Sequence, residues 1–489
     1  MSSLKNKTIS GVFWSMLQKL GDQGIQFVIT IVLARLLVPE DFGLIGMLAI
    51  FIAISQTIVE AGFNKALIRK KDADEEDYST VFFINLSVSV LLYLLLYFCA
   101  PFIAQFYNEP KLISLTRILS LIFILNAFGY VQETKLIKEM QFKRLMIINL
   151  PSTVISGIVA IVLAYNGFGV WSIVAQRLTM RLMFIVQVWF YSNWKPIWVF
   201  NKEKAKSLFA FGGNLMIVGI IQTIYLNGYK LVIGKFYPTS TLGYYENANT
   251  VVSTPISTLS SVMQRVTFSV FSTIQNDDKR LKIGYKKIIQ QVLFVLCPFL
   301  VFSMVLAEPL FRFVLTEKWL PAVPFFQILC IGFLFRPLNQ YNIEILNVKG
   351  HTRLFLKLDI LKKVIETIGI AVSIIYFDLW VLLWFQSLFT IGKYIINSYY
   401  SGQFIDYSIR EQLKDVSSIF MITSIVGILL FFIKSYLVTD LPDFFMLIGG
   451  YSLAGMVYWM LVKYAKLAAY QDFINLIKPI TTKLFNKIK

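Results

Sequence analysis

Charge is scarce in this chain. Of its 489 residues only 15% are Asp, Glu, Lys or Arg, where a soluble domain has about 25%. The remainder is rich in apolar residues: 57% of the chain is hydrophobic, and the mean hydropathy is +0.66. These figures exclude a soluble globular protein, a disordered chain and a secreted disulfide scaffold. There is one histidine, His351, which argues against His-based catalysis and against a multi-His metal centre. The three cysteines, Cys99, Cys297 and Cys330, each lie inside an apolar run. An odd set placed there fits neither a disulfide framework nor a zinc site. Phosphate-cradling loops, dinucleotide glycine motifs and nucleophile elbows are also missing from the sequence. Loops are short, at most about 15 residues, so no extramembrane domain is expected, including the nucleotide-binding domain of an ATP-driven pump. A glycan polymerase or ligase would need a large outer loop, so that class is disfavoured. The expectation is a protein that is not an enzyme and holds no metal or cofactor.

What the chain does have is a series of apolar segments. Fourteen reach spanning length, at 9–34, 42–63, 79–105, 112–132, 146–165, 168–191, 208–234, 242–271, 288–311, 320–346, 355–376, 379–400, 416–436 and 443–465. The first carries Lys19 and Asp22 and has no small-residue cleavage site, so it reads as a transmembrane helix rather than a signal peptide. An all-α polytopic membrane protein follows. The net charge of +18 raises nucleic-acid binding as an idea, but the distribution of the 46 basic residues gives another reading. With both termini in the cytoplasm, 30 of them fall on the cytoplasmic side, 6 outside and 10 within spans. This is the positive-inside pattern, and no nucleic-acid partner is expected. The segment 470–489 places Phe473, Ile477, Ile480, Leu484 and Ile488 on one helical face, suggesting a basic amphipathic tail on the cytoplasmic leaflet.

Two turns look alike. Arg35–Gly43 reads RLLVPEDFG and Lys235–Gly243 reads KFYPTSTLG, each with a basic residue, then Pro, then Gly eight positions after the basic residue. Each joins two long polar-dotted helices. The spacing predicts two parallel six-helix repeats around a central cavity: an N-terminal lobe at 1–200 and a C-terminal lobe at 201–400. Two further helices at 401–469 and the tail at 470–489 complete the chain.

Polar residues within spans are costly, and usually face a bundle interior or a water-filled cavity. Spans 1, 2, 7 and 8 carry stripes of them at helical spacing: Lys19, Asp22 and Gln26; Gln56 and Glu60; Asn227 and Lys230; Glu246 and Arg265. These residues are the candidates for a shared hydrophilic cavity, with Arg177, Arg181 and Arg336 added from other spans. Basic residues predominate, which suits an anionic ligand such as a phosphate, a diphosphate or an acidic sugar. Blander readings stand beside this one. Lys19 and Asp22 are spaced to pair with each other, Arg177 and Arg181 to snorkel, and Lys362 and Lys363 to anchor at the cytoplasmic interface. The acidic run Asp72–Asp77 precedes a helix, and reads as capping rather than as a metal site.

A family resemblance rests on several short stretches. These are Ser10–Trp14, Ala34–Gly43, Ala66–Lys70, Tyr78–Asn85, Gln141–Lys143, Gly169–Trp171, Phe211–Gly213, Ile233–Tyr237, Leu242–Tyr245, and Arg265 with Phe268. In order and spacing they resemble the Wzx-type polysaccharide flippases of the multidrug/oligosaccharidyl-lipid/polysaccharide exporter superfamily. The branch of the colanic acid and teichuronic acid exporters is the nearest match. The chain departs from that branch at Thr267, Phe268 and Ser269, where a proline is frequent.

The resemblance implies a fourteen-helix, two-lobed transporter in the bacterial cytoplasmic (inner) membrane. It would move an undecaprenyl-diphosphate-linked oligosaccharide, the repeat unit of O-antigen, capsule or exopolysaccharide, to the outer leaflet by alternating access. Partners would be that lipid-linked oligosaccharide, the bilayer, and assembly proteins such as a polymerase or chain-length regulator. The driving force is open between H⁺, Na⁺ and the membrane potential, with Asp22 or Glu60 as candidate ion carriers. A cation-coupled multidrug exporter of the same superfamily is the alternative.

Overall fold

The computed structural model describes residues 2–475, apart from 61–62, 71, 193, 275, 377 and 438–440. Side chains at 2–9, 12, 65, 210–211, 214–215, 258–270, 272–273 and 437 are also outside the description. The sequence-derived roles for Arg265 and for most of the 470–489 tail therefore lie outside the described residues.

The described chain is helical throughout, with no strand. The helices are α1 Ser2–Leu36, α2 Pro39–Glu60, α3 Phe63–Arg69, α4 Glu75–Tyr107, α5 Lys111–Leu119, α6 Leu121–Lys138, α7 Phe142–Tyr165, α8 Trp171–Tyr191 and α9 Lys202–Phe236. They continue as α10 Thr239–Thr273, α11 Asp278–Val305, α12 Ala307–Val314, α13 Val323–Val348, α14 Thr352–Ile375, α15 Leu379–Phe404, α16 Ile409–Phe432 and α17 Asp443–Tyr464. Eleven helical stretches among the described residues are long and apolar enough to cross a bilayer. Outside them, α1, α10 and α14 also reach spanning length, and these three are comparatively polar. The outward surface is apolar: Phe98, Phe102 and Phe190 are 68%, 70% and 86% exposed. Such a surface would aggregate in water and suits hydrocarbon. The chain is a multi-pass membrane protein.

The helices repeat in order. Helix α1 ends at Leu36 and α9 at Phe236, while α2 starts at Pro39 and α10 at Thr239, offsets of 200 residues in both cases. A long, Pro-containing helix follows in each half (α4 with Pro101, α11 with Pro298), then a short helix (α5, α12) and three longer ones.

By packing, the helices form two compact units, Met1–Glu246 and Asn247–Lys489. The contact boundary lies in the second turn of α10, because α9 packs on α2, α3 and α4. These units have other bounds than the lobes 1–200 and 201–400 expected from the repeated turns. In the first unit α1 packs on α7, α7 on α8, and α4 on α5 and α6. A core of Phe63, Leu67, Tyr78, Phe82, Val131 and Trp194 sits beneath α3. In the second unit α13 packs on α15, α11 on α13 and α16, and α16 on α17, around Tyr285, Leu293, Cys297, Tyr341 and Tyr407.

The acidic run acts as a cap, as its position predicts. Asp74 is the N-cap of α4, and its carboxylate accepts from the Asp77 N–H at 2.8 Å, while the Asp77 carboxylate accepts from the Asp74 N–H at 3.1 Å. Lysines surround it: Lys204 reaches Asp74 at 2.6 Å and Glu76 at 2.7 Å, and Lys70 reaches Asp77 at 2.7 Å. The ammonium of Lys204 and the Asp77 N–H hold the Asp74 carboxyl down, from 3.8 to about 2. A carboxylate with a lowered pKa stabilises fully above its unfolded value and loses that contribution as pH falls through the folded one. Asp74→Ala is expected to cost about 1 kcal/mol at neutral pH. Its deficit in thermal stability in detergent should vanish as pH falls from about 4 to about 2.

Candidate functional site

The polar stripes of the first unit converge, but much of each stripe is occupied by neighbouring helices. On α1, Asp22 accepts from Thr153 of α7 at 3.2 Å. Gln26 accepts from Gln176 of α8 at 3.1 Å and contacts Met180 Sδ at 3.4 Å. These bonds tie α1 to α7 and α8. Lys19 is half-buried one turn below Asp22. On α2, Gln56 donates to Glu60 at 3.2 Å, and Tyr130 of α6 donates to the same carboxylate at 3.3 Å. Gln56 and Glu60 are both exposed. Thr57 of α2 meets Thr223 of α9 at 3.1 Å, and Asn227 caps back onto the Thr223 carbonyl at 2.9 Å.

Higher on α9, the ammonium of Lys230 lies 2.8 Å from one oxygen of Glu246 and donates to the other at 3.0 Å. Both side chains are largely buried, at 20% and 16% exposure. Arg177 of α8 is half-buried and is acted on by the Glu246 charge. Lys230 is the cation paired with this carboxylate, and Arg177 lies within reach of its field. The Glu246 side chain packs against α2 at Gly46, where an added Cβ would lie 3.1 Å from Glu246 Cγ.

The two similar turns meet at the end of these helices. A Cβ placed on Gly43 would run into the carbonyl oxygen of Thr239. One placed on Gly243 would run into the carbonyl oxygen of Pro39. Each turn thus presents a glycine to the backbone of the other. Side chains are excluded here because backbone approaches backbone.

Other intramembrane charges have different surroundings. Arg181 bonds Glu133 of α6 at 3.3 Å and the Asn126 carbonyl at 3.4 Å, and lies over the rings of Tyr130 and Phe184. It ties α6 to α8 and does not snorkel. Arg336 lies in the second unit, exposed over the ring of Phe333. Lys362 is no interface anchor: it is 5% exposed and donates to Asn397 at 2.9 Å, and Asn397 donates to Asn339 at 3.0 Å. Beside it Glu366 accepts from Lys393 at 2.9 Å. Among the described residues, His, Cys, Asp and Glu form no cluster able to hold a metal.

The sequence profile of one family, described as "Polysaccharide biosynthesis protein", matches residues 32–324, more than half of the chain. The chain belongs to this family. Two curated relatives share its sequence over long stretches. The teichuronic acid biosynthesis protein TuaB of Bacillus subtilis (strain 168) is 26% identical over 88% of this chain and 90% of its own. The succinoglycan biosynthesis transport protein ExoT of Rhizobium meliloti (strain 1021) is 28% identical over 67% of this chain and 66% of its own. Among solved structures, that of the lipid II flippase MurJ in an inward closed conformation superposes with a TM-score of 0.72. The overlap covers 96% of this chain and 99% of that one at 16% identity, which establishes a shared fold. The chain is therefore a multi-pass membrane protein of the polysaccharide biosynthesis family, with the fold of that structure.

Proposed function

We propose that this polysaccharide biosynthesis protein flips an undecaprenyl-diphosphate-linked oligosaccharide from the cytoplasmic to the outer leaflet. The observation that carries the reading is the largely buried Lys230–Glu246 pair, set in the polar-striped wall of the first unit that also holds Lys19 and Arg177. A diphosphate and its sugars cannot enter hydrocarbon without losing hydration. Hydroxyls, amides and ammonium groups on α1, α2, α8 and α9 substitute for that water, while the prenyl tail stays in the bilayer. The similarity to a teichuronic acid biosynthesis protein and a succinoglycan biosynthesis transport protein supports a lipid-linked glycan as cargo.

The basic-residue census supports both termini in the cytoplasm of a bacterium's inner membrane. The Gly43–Gly243 contact then lies at the outer ends of α1, α2, α9 and α10, where it seals the cavity from outside. An inside-negative potential favours outward movement of the diphosphate by about 2.3 kcal/mol per charge per 100 mV. Asp22 and Glu60 are the candidate H⁺ or Na⁺ carriers, and Glu60 is the more exposed of the two. A polymerase and a chain-length regulator would act on the delivered repeat unit. Cells lacking the gene should accumulate the lipid-linked glycan in the inner leaflet. Accumulation in the outer leaflet would assign the protein to a later step.

A further inference from the structure

The group at Lys230 holds an anion of its own. Glu246 meets the Lys230 ammonium with both oxygens, at 2.8 and 3.0 Å, and its charge also acts on Arg177. Its chain is steered there by Gly46, which brings Glu246 Cγ against the α2 backbone. Lys230 lies six residues before the end of α9, and Glu246 seven residues into α10. At 1.5 Å per residue both sit about 9–10 Å below the turns, directly beneath the Gly43–Gly243 contact. An anion arriving at Lys230 therefore finds its position filled.

We infer that Glu246 is a resident counter-anion that the cargo's diphosphate displaces. This rests on the function proposed above and names a step within it. In the empty protein the Lys230 charge would be costly if unpaired in a low-dielectric wall, so Glu246 neutralises it. A diphosphate carries more charge than one carboxylate and offers acceptors to Lys230 and Arg177 together. It takes both cations and frees the carboxylate. When the cargo leaves, Glu246 re-pairs with Lys230. Re-pairing expels the diphosphate and returns the wall to its starting charge, so binding is held weak enough for release. Breaking the pair lowers the apparent affinity by the fraction of time the site stands open. No bond is made or broken in this step, and no proton need move.

The probe is undecaprenyl diphosphate, titrated into the purified full-length protein in detergent. Glu246→Gln removes the charge and keeps the shape. If the pair is closed about nine tenths of the time, the variant should bind the probe about tenfold more tightly and transport more slowly, because release lacks its competitor. Equal or weaker binding by a folded Glu246→Gln protein would overturn the inference and leave the proposed function standing. Failure of the unaltered protein to bind the probe would instead remove the function and the exchange with it. A second measurement needs no variant. Carbodiimide labelling of Glu246 in the unaltered protein, read by mass spectrometry, should rise when the probe is added. Labelling that stays level or falls while the probe binds would show that the carboxylate is not displaced.

Discussion

Gly43→Ala is expected to reduce glycan export severely, while Gly24→Ala leaves it intact. Both are one-methyl changes on helices of the first unit. At Gly24 an added Cβ meets nothing within 4 Å. At Gly43 it meets the Thr239 carbonyl, and no rotamer change can move a backbone oxygen away. The same holds at Gly243 against Pro39. Overpacking of this kind costs about 1–3 kcal/mol, which corresponds to a shift of about 5- to 150-fold in a two-state equilibrium. Under the proposed topology the disfavoured state is the one closed to the outside. Two readings check this: export of the polymer, and reactivity of a cysteine placed at Leu242, which is buried in the contact. Gly43→Ala should lower the first and raise the second. Gly43→Ala combined with Gly243→Ala should be little worse than either alone, because both break one contact and neighbouring changes are not additive. Normal export by Gly43→Ala would show that this contact is not closed during transport.

The second large effect concerns charge. Replacing Lys19, Arg177 and Lys230 together with Gln is expected to lower export by a hundredfold or more, with normal protein levels in the membrane. A hydrogen bond to a charged group is worth about 1.5–3 kcal/mol, so losing two such contacts to a diphosphate accounts for about that loss. Arg181→Gln serves as the contrast. Its guanidinium is held between Glu133, Tyr130 and Phe184, so its loss should lower the amount of folded protein rather than the export per molecule. Full export by the triple variant would rule out a cationic cavity. It would favour the multidrug-exporter alternative, for which growth in toxic cationic compounds is the corresponding measurement.

Much of the architecture could be read from hydropathy and turn chemistry. The Pro/Gly turns at 38–43 and 237–243 end and begin helices where their spacing predicts. The sequence also marks α1, α10 and α14, as the segments 9–34, 242–271 and 355–376, although their polar residues dilute the apolar signal. The short helices α3 and α12 fell inside or beside longer runs. The site was legible as a set of stripes but not as a set of partners. Helical spacing places Asp22 and Gln26 on one face, but says nothing of Thr153 and Gln176, which come from helices more than a hundred residues away. Lys362 misled for the same reason: closeness to a helix end suggested the interface, whereas Asn397 gives it a buried partner. Gly46 marks a further part of the site. A glycine inside an apolar helix marks close packing, and here it receives Glu246.

The most direct measurement of the central claim uses the purified protein in sealed vesicles. A polyprenyl-diphosphate oligosaccharide with a fluorescent sugar is placed in both leaflets, and a membrane-impermeant quencher is added outside. With the intact protein, fluorescence in the inner leaflet should be drawn out and lost within the assay. Vesicles holding the Lys19, Arg177 and Lys230 triple variant should keep about half of the signal, as protein-free vesicles do. Equal protection of the inner leaflet with and without the intact protein, at a potential negative inside, would contradict the account.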